Sequence, residues 1–201
     1  MPTSGAGGDR RPELWLVRHG ETAWARLGRH TGRTDVPLTE RGREQARSVA
    51  DRLTGTPFAL VLSSPLSRAF ETARLAGFGD QVEPDPDLVE WDYGEYEGRT
   101  TSEIRSLVPG WSIWRQGPVG GESIDDVAAR AARVIARARS IEGNVLLFGH
   151  GHVLRILAAR WLGLPPSEGR LFALSTATVS VLGWEHGAPV VVRWNEGCGG
   201  G

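Results

Sequence analysis

Apolar residues recur along the chain in two rhythms. Short unbroken apolar runs bounded by turn residues, at 14–17, 58–62 and 145–148, read as strands buried on both faces. Elsewhere the spacing is helical. After Thr39, a residue suited to an N-cap, Ala46, Val49, Ala50 and Leu53 recur at i, i+3, i+4 and i+7 and predict an amphipathic helix ending near Leu53. Pro65 suits the first turn of a second helix over about 65–76. Ser123 and Asp126 form a capping-box pattern ahead of a stripe of Val127, Ala131, Val134, Ile135, Ala138 and Ile141, with Asp125 and Asp126 matched to the helix N-terminus. Residues 153–162 are apolar on most sides and predict a buried helix, and 178–184 and 190–194 predict two late strands. Strands alternating with helices point to an α/β fold: a three-layer α/β/α sandwich around a mostly parallel sheet, with the active site beyond the carboxyl ends of the strands.

Composition narrows the picture. A chain of 201 residues with 40% hydrophobic and 23% charged positions fits one globular domain, expected here at 13–195. Polar, Gly-rich ends at 1–12 and 196–201 are expected to be disordered tails. The net charge of −1 gives no field that would favour nucleic acid or an anionic membrane. No apolar stretch approaches the roughly 20 residues of a membrane helix, and the first residues lack the apolar core of a signal peptide, so a cytoplasmic protein is expected. All 23 basic residues are arginine, which removes chemistries that need an ε-amine, such as Schiff-base and P-loop mechanisms. The single Cys198 excludes an internal disulfide framework and a multi-cysteine zinc site.

Two strands end in histidine followed by glycine and then helix: Arg18-His19-Gly20 and Gly149-His150-Gly151-His152. The second strand runs into Ser63-Ser64-Pro65-Leu66-Ser67-Arg68. Two histidines and two arginines at one sheet edge suit an anion, since the arginine fork matches phosphate oxygens and helix N-termini add N–H donors. A metal is the poorer guest, because two histidines are too few ligands and the guanidinium groups repel a cation. Imidazole is a competent nucleophile at neutral pH when its other nitrogen is held as a donor, and His19 is the better placed of the two. A leaving alkoxide needs an acid. Glu90, after Leu88-Val89 and before Trp91, is the first candidate, in a setting that raises a carboxyl pKa; Glu95 and Glu97 remain alternatives.

These residues resemble the histidine phosphatase superfamily, also called phosphoglycerate mutase-like. The motifs are Leu16-Val17-Arg18-His19-Gly20-Glu21-Thr22, the His30–Thr39 segment, Ser63-Ser64-Pro65-x-x-Arg68, Glu90-x-x-Tyr93-Gly94 and Gly149-His150-Gly151. The resemblance implies the fold above, His19 as phosphohistidine nucleophile, Arg18, Arg68 and His150 as the phosphate pocket, and Glu90 as proton donor. Thr31 and Gly32 fall where the family lines its pocket, with Tyr93, His152 and Trp24 as further substrate contacts. The chain looks like the small phosphatase branch, which includes actinobacterial acid phosphatases and sedoheptulose-bisphosphatase-like proteins. It departs from the mutases at Ala25-Arg26 after Trp24 and in having His152 after Gly151. Its segment after Glu90 is poor in basic residues, with only Arg99, Arg105 and Arg115, so hydrolysis is favoured over mutation. The implied activity is metal-independent and cofactor-free hydrolysis of a small phosphorylated metabolite by a monomer or homodimer. A cofactor-dependent mutase and a non-catalytic phospho-ligand module are the alternatives. Trp111 and Trp114 are further candidates for the substrate mouth and Arg155 for a second anionic group. His30 and His186 read as loop or surface histidines, and Trp15, Trp161, Trp184 and Trp194 as packing residues.

Overall fold

Two interleaved apolar sets run along the central strands, and each is buried under its own helices. Strand β1 (Leu14–Arg18) sends Leu14 and Leu16 to one face and Trp15 and Val17 to the other, as the period of two requires. The computed structural model describes residues 11–197. Within them β2 (Leu60–Ser63), β3 (Val82–Pro84), β4 (Val145–Gly149), β5 (Thr178–Glu185) and β6 (Ala188–Gly197) join β1 in one six-stranded sheet, ordered β3-β2-β4-β1-β5-β6. The four strands from β3 to β1 are parallel, and β5 pairs antiparallel with both β1 and β6.

Helices α6 (Ile124–Arg139) and α7 (Gly151–Trp161) cover the face carrying Leu14, Leu16, Leu62, Leu147 and Leu182. Helices α2 (Glu40–Leu53) and α3 (Ser67–Ala73) cover the face carrying Val17, Val61, Leu146, Phe148 and Val181. The expected three-layer arrangement is therefore present. Thr39 caps α2 through the Gly42 N–H, and Ser123 and Asp126 make both bonds of a capping box on α6. Short helices α1 (Ala23–Arg26), α4 (Thr101–Leu107) and α5 (Ile113–Gln116) lie in the connections.

Several expected boundaries move. Helix α3 starts at Ser67, with Leu66 as its N-cap, so Pro65 stands outside the helix. Phe58 precedes β2, and its ring packs edge-on against Trp15 and Phe78 instead of entering the sheet. Helix α7 begins at Gly151, two residues before its apolar run. Strand β6 continues through Glu196 to Gly197, which pairs with Thr178, so the sheet takes in residues read as the C-terminal tail. At the other end, Arg11 lies over the Trp184 ring at 5.0 Å. Residues 1–10, the rest of the C-terminal segment and Cys198 lie outside the described residues. Strand β3 carries no alternation that could have announced it, and its Pro84 is tolerated because β3 is an edge strand.

The register does the positioning. Arg18 pairs with Gly149, and Ser63 with Phe148, so the residues that follow β1, β4 and β2, namely His19, His150 and Ser64, emerge side by side. The His19 N–H bonds the Gly149 carbonyl at 3.0 Å and the Ser64 N–H bonds that of Phe148 at 2.9 Å. The α2 N-terminus presses against the loop after His19: a Cβ on Gly20 would meet the Gly42 carbonyl oxygen at 2.3 Å. Between β3 and α6, Leu88, Trp91, Tyr93, Tyr96, Ile104, Trp111 and Ile113 join the α6/α7 core, making a cap fastened over the carboxyl edge.

Candidate active site

At that edge lies a cavity of about 170 Å³ whose lining includes Arg18, His19, Arg29, His30, Thr31, Glu90, Tyr93, His152, Arg155 and Leu174. A larger one of about 230 Å³ sits at the opposite, amino-terminal edge beside Trp161 and Trp184 and holds none of the motif residues.

His19 is buried, and its Nδ1–H donates to the Gly20 carbonyl at 2.7 Å. That bond fixes the tautomer and leaves the Nε2 lone pair available. Burial, reinforced by the Arg18 and Arg68 charges, holds the imidazole pKa well below its usual value, so His19 is neutral near pH 7. Arg18 donates through Nη1 to the Leu174 carbonyl, while its Nε is buried without a partner.

Arg68 and His150 come together with His19 but occupy the layer behind it. Arg68 is fully buried, and it donates to the carbonyls of Thr31 (3.1 Å), Gly32 (2.8 Å) and Thr34 (2.9 Å) and, through Nε, to His150 Nδ1 at 3.1 Å. His150 is therefore the Nε2–H tautomer, and it donates to Ser64 Oγ at 2.8 Å. Neither lines the cavity. Their bonds order the 31–34 loop and the floor beneath His19, whose ring centroid is 5.2 Å from that of His150.

Several of the backbone donors expected to cradle phosphate are also committed. Gly20 N–H donates to Thr72 and Glu21 N–H to Gln45. Asp35 accepts from Ser67 N–H at the start of α3. Glu90, at the start of α7, accepts from the N–H groups of His152 and Val153 at 2.9 Å each, and from Trp91 N–H at 2.9 Å. Glu90 thus lines the cavity in a slot of three backbone donors, not the apolar slot expected from its neighbours. The alternatives face elsewhere: Glu95 is exposed, and Glu97 accepts from Gly32 and Thr34 N–H. Gly32 holds its place in this loop because a Cβ there would meet the Trp91 carbonyl oxygen at 2.5 Å; it supports the lining residue Thr31.

One wall is aromatic and neutral. Burial raises the Tyr93 phenol pKa well above its ordinary value, and its hydroxyl shares a hydrogen bond with His152 Nδ1 at 2.6 Å. His152 is also held neutral by burial and by Arg155. His30, read from sequence as a loop or surface residue, is buried against Tyr93 and Trp111, and burial lowers its pKa to about 4. The tryptophans differ from expectation as well. Trp24 packs its ring over Gly98, Trp111 backs His30, and Trp114 backs His152; none of the three lines the cavity.

Sequence reasoning missed a clasp that fixes Glu90. Arg130 on α6 pairs Nε and Nη2 with the Glu122 carboxylate at 2.9 Å each and donates through Nη1 to the carbonyls of Asp87 (2.7 Å) and Val89 (2.9 Å). The Glu122 carboxylate also accepts from Asp92 N–H, and its backbone carbonyl from the Trp91 indole. A signal was present: Arg130 falls on the apolar stripe of α6, three residues after Val127 and four before Val134. Arg130→Met leaves the Glu122 carboxylate unpaired in a site where the two side chains are 13% and 17% exposed. Loss of one partner there is expected to cost about 3–5 kcal/mol, read as a fall on the order of 10 °C in Tm. An unchanged Tm would show that the clasp contributes nothing.

Among the described residues, no helix is long and apolar enough to cross a membrane. Comparison with known proteins gives the family. The profile of the histidine phosphatase superfamily (branch 1) matches residues 14–197. An acid phosphatase of Mycobacterium tuberculosis is 45% identical over 185 residues, covering 90% of each chain. A sedoheptulose 1,7-bisphosphatase of Saccharomyces cerevisiae is 35% identical over 185 residues, covering 76% of this chain and 68% of its own. The solved structure of an open reading frame of Mycobacterium tuberculosis superposes with a TM-score of 0.90 at 41% identity, covering 94% of this chain and all of that one. With the profile matching residues 14–197 and relatives of this identity and coverage, the chain belongs to the histidine phosphatase superfamily, branch 1, and is a hydrolase of its phosphomonoesterase type.

Proposed function

We propose that the protein hydrolyses the phosphate monoester of a small metabolite through a phosphohistidine on His19, without a metal ion. The observation that carries this reading is Arg18 Nε: among the described residues it is the one buried side-chain polar atom without a hydrogen-bond partner. A buried guanidinium donor left open beside an imidazole with a free Nε2 fits an incoming phosphate oxygen. In the first step His19 Nε2 attacks phosphorus, the ester P–O bond breaks, and Glu90 gives its proton to the departing alcohol oxygen. In the second, Glu90 takes a proton from water, the water oxygen attacks phosphorus, and the P–N bond breaks to release phosphate. Three backbone donors occupy part of the Glu90 carboxyl, and its remaining lone pairs serve the transfer. Arg18 neutralises the equatorial oxygens. Arg68 and His150 act one layer back, by holding the loop and the pocket floor.

Glu90→Gln tests the assignment. Alkyl phosphates, whose leaving alkoxides need a proton, are expected to slow by about 10²- to 10⁴-fold, with a much smaller loss on nitrophenyl phosphate. The slowed second step should also let a phosphate adduct accumulate, visible by intact mass after a neutral quench. Equal losses on both substrates would assign the proton to another group.

A further inference from the structure

The cavity has a second cation that the hydrolytic scheme does not use. Arg155 lies on α7 one turn beyond His152 and lines the cavity together with Arg18. Its guanidinium is stacked over the Trp114 ring at 4.6 Å. Nε donates to the Gly169 carbonyl at 3.0 Å and Nη2 to that of Arg170 at 3.1 Å. Ring and carbonyls fix the plane of the group, and among the described residues Nη1 has no protein acceptor. Among the described residues no carboxylate lies within 4 Å of Arg155 or of Arg18, whereas Arg29, the third arginine of the lining, meets Glu103 at 3.8 Å. The cavity's one carboxylate, Glu90, is already committed to three N–H donors. Glu90 lies beyond pairing distance of both guanidinium groups, yet its charge is felt by each, so two oriented cations share one anion that is already held by N–H donors, and a guest anion completes the balance.

The residues sharing this lining set the rest of the requirement. His30, Tyr93 and His152 are neutral near pH 7, and with Nδ1 engaged by Tyr93 the His152 Nε2 is the nitrogen left to meet a guest. They suit hydroxyl groups, not further charge. We propose that Arg155 is a second anion subsite, and that the substrate is a short hydroxylated phosphomonoester bearing a second anionic group, carboxylate or phosphate, away from the ester that is cleaved. This rests on the hydrolytic reading above, with the scissile phosphate at Arg18 and His19.

A three-carbon series with a constant scissile end tests it: glycerol 3-phosphate, 3-phosphoglycerate and propane-1,3-diol bisphosphate, compared by kcat/KM for phosphate release. The wild-type enzyme is expected to favour at least one doubly anionic member over glycerol 3-phosphate by about 10- to 100-fold, the scale of one charge-assisted hydrogen-bonded contact. The preferred member tells carboxylate from phosphate. Arg155→Met, which keeps the stack on Trp114, should erase that preference, and Arg155→Lys should restore part of it. Absence of a preference in the wild type, or equal losses on all three substrates in Arg155→Met, would overturn the subsite. Failure of the hydrolytic reading has a different signature: no phosphate released from any member of the series or from nitrophenyl phosphate.

Discussion

Replacing His19 by alanine is expected to lower kcat/KM for nitrophenyl phosphate by about 10⁴- to 10⁶-fold, the range seen when a covalent nucleophile is removed from an otherwise intact site. The size of the loss follows from the state of the other imidazoles. His150 spends Nδ1 on Arg68 and Nε2–H on Ser64. His152 is tied through Nδ1 to the Tyr93 hydroxyl. His30 is packed between Tyr93 and Trp111 with its Nε2 beside Thr101. None has the Nδ1–H bond to a backbone carbonyl that prepares His19 for attack, and the expected residual rate is what Arg18 supplies by polarising the ester for water. The phosphate adduct seen by intact mass should vanish in the variant while its Tm stays measurable. A His19→Ala enzyme that turns over at a wild-type rate would sink the phosphohistidine scheme.

The parts of this site legible in sequence are those built locally. An apolar run ending in His-Gly ahead of a helix is a strand end whatever surrounds it, which is why Arg18, His19 and His150 could be placed together. The α6 capping box was equally readable, since Ser123 and Asp126 bond each other's backbone. What could not be read depends on partners distant in the chain. The start of α7 looks from sequence like an open anion site, because nothing near Gly151 announces that Glu90 will occupy its N–H groups. Asp35 closes the start of α3 in the same way. His30 reads as a polar loop residue until Tyr93 and Trp111 fold over it, and Trp24 reads as a pocket wall until Gly98 is found beneath its ring. The cap over the cavity is held by nonlocal bonds such as those of Arg130 with the Asp87 and Val89 carbonyls. These have no periodic signature beyond one arginine on an apolar stripe.

The burial that keeps His19 neutral also predicts a steep loss of stability in acid. His19, His150 and His152 have pKa values held well below the usual value and His30 is lowered to about 4, burial being the largest cause for each. In the unfolded chain these imidazoles titrate near 6.5. Above that pH neither state binds the protons and the four groups leave stability unchanged. Below it the unfolded chain takes up protons that the folded chain refuses, so stability falls as pH decreases toward the folded values. Each such histidine steepens the fall by about 1.4 kcal/mol per pH unit between its unfolded and folded pKa, a window that for His30 runs from about 6.5 down to about 4. Set against a typical domain stability of about 5–15 kcal/mol, this loss is expected to unfold the protein in acid. Urea melts between pH 7.5 and 4.5 should show this slope, and His30→Gln should flatten it by about one histidine's share whatever the variant does to stability at neutral pH. A melt midpoint independent of pH down to pH 5 would mean that the folded protein binds these protons and that His19 is not held neutral by its surroundings. Activity should follow the fold and not the nucleophile: kcat/KM persists below pH 6.5 because His19 stays unprotonated, then disappears with the native structure. Inorganic phosphate at the Arg18 site binds only the folded state, so it should move both losses to lower pH together.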